Sequence, residues 1–185
     1  MAEFRGFIAI DITPFQKLSD LINEIKNSGA NIKTVEPGNI HITLKFLGDT
    51  NEEKIDNIND IIINSVEGIK PFDIKLKGAG FFPNHNYIKV VWIGIENTEQ
   101  MQIIAKKIDE KLSTIGFDRE KRKFSAHLTI ARVRSAQNKE KLIQIINKYQ
   151  DVEFAKITVN KIKLKKSVLT PKGPIYSTLE EVTIE

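Results

Sequence analysis

The chain has 185 residues, 41% apolar and 28% charged, with a formal net charge of +4 and a pI of about 9.1. That is the composition of an ordinary globular domain; it excludes a disordered chain, and no apolar run reaches membrane-span length. With no cysteine, disulfides, thiolate catalysis and cysteine-ligated zinc are excluded too.

The N-terminal stretch MAEFRGFIAIDITPF has no basic segment leading into an unbroken apolar one, so a cytoplasmic location is expected. Residues 5–11 form a short apolar run that predicts a buried strand. Thr13-Pro14 predicts a helix start, with a capping hydroxyl and proline at the first helical position. Phe15, Leu18, Leu21, Ile22 and Ile25 then recur at helical spacing up to Gly29. Residues 40–47 alternate as a strand. Thr50, with Glu53 three residues on, predicts a capped helix running to about Ser65. Residues 72–82 and 87–95 read as a hairpin turning through Pro83-Asn84-His85-Asn86. Residues 97–115 and 137–149 predict helices, and 127–133 a strand between them. One long strand near 152–166, a turn at Pro171/Gly173/Pro174 and a last strand at 175–184 complete the chain. Each half thus contains a helix, a His-x-Thr strand, a second helix and a strand pair. The pattern predicts an α+β fold: a single bilobal domain over residues 1–185, with two pseudo-symmetric lobes of antiparallel sheet lining a central cleft and helices outside. The lobes are expected at about 1–95 and 96–185, with terminal strand exchange as an option.

His41-Ile42-Thr43 and His127-Leu128-Thr129 carry the chemistry. Side chains alternate faces along a strand, so each histidine shares a face with its threonine while Ile42 and Leu128 anchor the opposite layer. In-line displacement at phosphorus needs a base at the entering oxygen and an acid at the leaving one. Histidine titrates near neutrality, so one ring can be neutral while the other is charged. Threonine hydroxyls can hold the phosphate oxygens as charge develops there. A strained five-membered cyclic phosphate lowers the barrier further, so neither metal nor cofactor is expected.

The sequence resembles the 2H phosphoesterase superfamily, whose hallmark is two H-x-T-x motifs. Within it, the chain looks like the RNA 2′,3′-cyclic phosphodiesterases, also called the 2′-5′ RNA ligase family. The resemblance rests on RGFIAIDI at 5–12, NIHITLKFLGD at 39–49, VVWIGI at 90–95, FSAHLTIARV at 124–133 and SVLTPKGPIYSTLEE at 167–181. It implies that His41 donates a proton to the leaving 3′ oxygen, that His127 accepts one from water, and that a 2′-phosphate results. It implies phosphate contacts from Thr43 and Thr129, and a monomer acting on RNA ends or small cyclic nucleotides, away from membranes. Two departures stand out: Ala126 where the family often has proline, and KTVEPGN before the first motif where it often has tryptophan.

Other residues divide between functional and structural readings. Regular alternation puts Arg132 on the face opposite His127, yet it could reach a phosphate past the strand end; Arg134 is a weaker candidate. Lys45 shares the His41 face by parity. Phe46 could stack on a base or fill the core. His85, in the turn, reads as exposed and non-catalytic, which argues against a three-histidine zinc site. Lys161, Lys163 and Lys165, like Lys75 and Lys77, read as a solvated strand face or as an RNA track. Two alternatives to the hydrolase stand: end-joining that forms a 2′-5′ bond, and a non-catalytic RNA-binding module.

Overall fold

The computed structural model describes residues 2–185. In chain order the elements are β1 (Glu3–Asp11), α1 (Gln16–Lys26), β2 (Ile32–Thr34), β3 (His41–Asn51), α2 (Ile55–Val66), β4 (Phe72–Pro83), β5 (Ile88–Glu96), α3 (Glu99–Ser113), β6 (His127–Val133), α4 (Lys139–Asn147), β7 (Glu153–Val159), β8 (Lys161–Thr170) and β9 (Gly173–Thr183). Two antiparallel sheets result, one ordered β3-β1-β8-β9 and the other β2-β6-β5-β4-β7. Helices α2 and α3 pack on the first sheet, α1 and α4 on the second, and β3 approaches β6 across the cleft between the sheets.

Each sheet draws strands from both halves of the chain, so a boundary near residue 95 does not separate them. The chain changes sheet inside the segment expected as one strand, 152–166. There, β7 belongs to the five-stranded sheet and β8 to the four-stranded one. Asn160 and Lys161 are consecutive exposed residues between buried Val159 and Ile162, which breaks the two-residue alternation a continuous strand needs. The Asn160 carbonyl instead accepts from Ile184 N–H at 2.8 Å.

The helices bury the expected faces, but their starts differ. Helix α1 begins at Gln16; Phe15 is its N-cap and supplies no side-chain hydrogen bond, so Thr13-Pro14 lies ahead of it. Leu18, Leu21, Ile22 and Ile25 are buried. Thr50 stays in β3 and donates to the Gly48 carbonyl; Asn51 does the capping, its Oδ1 accepting Glu53 N–H at 2.9 Å. Ile42 and Leu128 are fully buried, each worth about 1.5–3 kcal/mol against exposure. That burial fixes which face of its strand each neighbouring histidine occupies. Among the described residues, no helix is long and apolar enough to cross a membrane.

Candidate active site

His41 opens β3 and His127 opens β6, and both line one cleft of about 1810 Å³ together with Thr43 and Thr129. The two rings are held alike. His41 Nδ1 is 2.7 Å from the Asn39 carbonyl, and His127 Nδ1 is 2.9 Å from the Ser125 carbonyl, in each case the residue two positions earlier. A carbonyl only accepts, so Nδ1 carries the hydrogen and Nε2 is the lone-pair acceptor of both neutral rings. Thr43 Oγ1 lies 3.1 Å from His41 Nε2, so its hydroxyl donates to the neutral ring.

The surroundings of the two rings differ. His41 sits between Phe7, with ring centroids 5.0 Å apart, and Tyr176, edge-on at 5.4 Å. His127 meets Phe82 edge-on at 5.1 Å. Burial holds the His41 imidazole below its ordinary value of 6.5; the Lys165 and Arg132 charges add to this, while the Asn39 carbonyl and Asp11 oppose it. Burial also pushes the Tyr176 phenol up.

Both histidine strands carry the same irregularity. In β3, Thr43 pairs with Ala9 and Lys45 with Ile8, which leaves Leu44 as a bulge. In β6, Thr129 pairs with Trp92 and Ala131 with Val91, which leaves Ile130 as a bulge. A bulge reverses the side-chain parity beyond it. Leu44 and Lys45 are therefore both buried, as are Ile130 and Ala131, and the next residue of each strand returns to the histidine face. Those residues are Phe46 and Arg132, both in the cleft lining.

The bulges correct the faces that regular alternation gave Arg132 and Lys45, and they bear on the two readings of Phe46. Arg132 is not on the wrong face: it is exposed in the cleft beside Thr129. Phe46 is not a core residue: it is 69% exposed. Lys45, which parity placed on the His41 face, is instead buried, its ammonium held by Asp109 Oδ1 at 2.7 Å and the Asp118 carbonyl at 2.8 Å. Burial alone would raise the Asp109 carboxyl, but the hydrogen bonds from Lys45, Glu120 N–H and Arg119 outweigh it, and the group lies below the usual range.

The remaining candidates fall outside the site. Arg134 lies past the end of β6, with its N–H on the Asn31 carbonyl, and is not a cleft residue. His85 is exposed on the β4–β5 turn, its ring 5.2 Å from Phe81. Among the described residues, no group of three or more His, Asp or Glu side chains is placed to hold a metal. The lysine stripe is neutralised: Lys161 pairs with Glu181, Lys163 with Asp11 and Glu181, and Lys165 with Asp11. Lys75 and Lys77 pair with Glu153 and Glu96.

Sequence reasoning missed two contributors, Tyr176 and Asn39. Tyr176 arrives on the β8–β9 hairpin, which reaches across one end of the cleft. Lys33 Nζ of β2 donates to the Lys172 carbonyl there, and Asn39 Nδ2 donates to the Pro174 carbonyl at 3.0 Å. Asn39 thus holds the hairpin through its side chain and orients His41 through its own carbonyl. No local sequence signal marks a partner 135 residues away.

Comparison with known proteins agrees with this architecture. The family model described as the AKAP7 2′5′ RNA ligase-like domain matches residues 7–184. The RNA 2′,3′-cyclic phosphodiesterase of Methanocaldococcus jannaschii is 46% identical over 179 residues, covering 96% of this chain and 99% of that one. The protein of the same name from Methanothermobacter thermautotrophicus is 39% identical over 178 residues, covering 95% and 96%. Among solved structures, TT0787 of Thermus thermophilus superposes with a TM-score of 0.80 at 24% identity, covering 97% of each chain. E. coli LigT complexed with 3′-AMP gives 0.72 at 20%, covering 99% of each. With two matched His-Thr strands facing one cleft and relatives of this closeness across nearly its whole length, the chain belongs to the 2′-5′ RNA ligase-like family of 2H phosphoesterases, in the branch of the RNA 2′,3′-cyclic phosphodiesterases.

Proposed function

We propose that this protein hydrolyses 2′,3′-cyclic phosphates on RNA ends, or on small cyclic nucleotides, to 2′-phosphates, using His41 and His127 as its acid and base without a metal. The observation that carries the reading is the matched pair of imidazoles. Each has Nδ1 fixed by a backbone carbonyl, each lines the cleft, and each has a threonine on its own face.

In this mechanism His127 Nε2 takes a proton from water as the water oxygen attacks phosphorus. The bond from phosphorus to the 3′ oxygen breaks on the opposite side, and that oxygen takes the proton held on His41 Nε2. Each transfer contributes ~10²–10⁴-fold. Thr43, Thr129 and Arg132 donate to the non-bridging oxygens, whose charge grows as phosphorus becomes five-coordinate. Phe46 offers its exposed ring to the terminal base. Burial disfavours the charged form of His41 in the free protein; the bound phosphate anion offsets that penalty, so the acid is charged when the substrate is present. The order of acid and base follows the family resemblance, since the two ring geometries are alike.

The test is incubation of an oligonucleotide ending in a 2′,3′-cyclic phosphate with the protein in EDTA. The expected product is a 2′-phosphate, formed at an undiminished rate. A 3′-phosphate would reverse the leaving oxygen, and turnover abolished by EDTA would contradict the two-histidine mechanism. Absent turnover with retained salt-sensitive binding would leave an RNA-binding module.

A further inference from the structure

The cleft is larger than its chemistry requires. Small-molecule sites enclose roughly 300–1,000 Å³, and this cleft holds about 1810 Å³. Five of its cations also differ from the strand lysines. The strand lysines that suggested an RNA track are all paired with carboxylates. By contrast, Lys33, Arg122, Lys123, Arg132 and Lys172 line the cleft without a carboxylate within ion-pair distance, among the described residues.

Apart from Arg132, beside Thr129, these cations fall into two groups. Lys33 and Lys172 belong to the end spanned by the β8–β9 hairpin, where the Lys33 ammonium of the five-stranded sheet donates to the Lys172 carbonyl of the hairpin. Arg122 and Lys123 belong to a second end, on the exposed segment before β6, which Arg119 and Glu120 tie to Asp109 of α3. That second end also presents large apolar groups: Phe46 and Ile103 are 69% and 45% exposed, with Phe124 beside them in the lining. Apolar and aromatic surface interleaved with free cations is what a single strand needs: faces for stacking bases and charges for its phosphates.

Resting on the proposed activity at RNA ends, we propose that the arm of the cleft beyond Phe46, Ile103 and Phe124 with Arg122 and Lys123, is a binding groove for a single-stranded RNA tail. The tail is the set of nucleotides on the 5′ side of the cyclic phosphate, so the preferred substrate is an oligoribonucleotide. A lone cyclic nucleotide would fill only the region around the two histidines.

The test compares uridine 2′,3′-cyclic phosphate with a four-residue oligouridylate ending in the same group, on the intact protein and on Arg122→Ser/Lys123→Ser. Both changes fall on exposed side chains and leave the histidines alone. The double variant should lose about tenfold in kcat/KM on the oligonucleotide, with a salt slope shallower by about 1.4 for two lost phosphate contacts, while its rate on the mononucleotide is unchanged. An equal loss on both substrates overturns the groove, as does no loss on either. So does an oligonucleotide-specific loss that appears only in Lys33→Ser/Lys172→Ser. If the intact protein turns over neither substrate, the proposed activity fails. The groove is then judged by affinity for an oligouridylate bearing a 2′-phosphate: weaker binding by the double variant keeps it, unchanged binding removes it.

Discussion

Strands β3 and β6 are the same device fitted with different side chains. Each begins with a histidine whose Nδ1 is held by the carbonyl two residues back, and each has a bulge three residues after the histidine. The residue at the fifth position beyond the histidine is Phe46 in one and Arg132 in the other. The backbone therefore fixes where a side chain enters the cleft, and the sequence decides what it does there: an apolar ring on one side, a guanidinium on the other. The fourth position differs as well. Ala131 packs in the core without a partner charge, whereas Lys45 requires Asp109 and the Asp118 carbonyl. The rings differ in enclosure, His41 between Phe7 and Tyr176, His127 against Phe82. One lesson is that pseudo-symmetric backbone geometry supplies two Nε2 atoms, and local burial makes them unequal.

The comparison can be broken at each position. Arg132→Lys should lower kcat/KM on a cyclic phosphate by about 10–100-fold, since a hydrogen bond to a charged group is worth ~1.5–3 kcal/mol and a lysine lacks the planar fork. Steady-state rates near those of the unchanged protein would remove Arg132 from the phosphate site. Phe46→Ala should raise KM by about fivefold or more, with kcat little changed, because base stacking contributes ~1–3 kcal/mol per base. A loss confined to kcat would contradict a role in base binding. Asn39→Ala removes the bond to Pro174 while keeping the carbonyl on His41. It should cost about tenfold or less, roughly the ~0.5–1.5 kcal/mol of one neutral hydrogen bond. The loss should fall on kcat, and it should shift the pH limb that reports His41. A loss in KM alone would assign Asn39 to the hairpin rather than to the ring.

The His-Thr pairs are legible in the sequence because strand parity is a property of the sequence, and Ile42 and Leu128 anchor it. The positions of Phe46 and Arg132 are not, because a single bulge inverts parity and leaves only a faint mark, the adjacent apolar residues Ile130-Ala131. The buried Lys45 escapes for a different reason: its partner Asp109 lies 64 residues away, so composition does not distinguish a paired lysine from a solvated one. The same holds for Lys163 and Lys165, whose countercharge comes from Asp11 on β1. The sheet change at Asn160 is visible as two consecutive polar residues, but the pairing partners on each side are not. The fold class, the outer helices and the turn position of His85 need only local pattern.

The central claim, that His41 and His127 act as a complementary acid and base, is tested most directly by the pH dependence of kcat/KM for the unchanged protein and for His41→Ala and His127→Ala. His41 is held below 6.5, so the free enzyme carries less of the protonated acid as the pH rises through that region. The rate should therefore fall on the alkaline side as the acid loses its proton. Each alanine variant should lose at least ~10²-fold, with His41→Ala abolishing the alkaline limb and His127→Ala the acidic one. Loss of the same limb in both variants, or undiminished turnover in either, would contradict it.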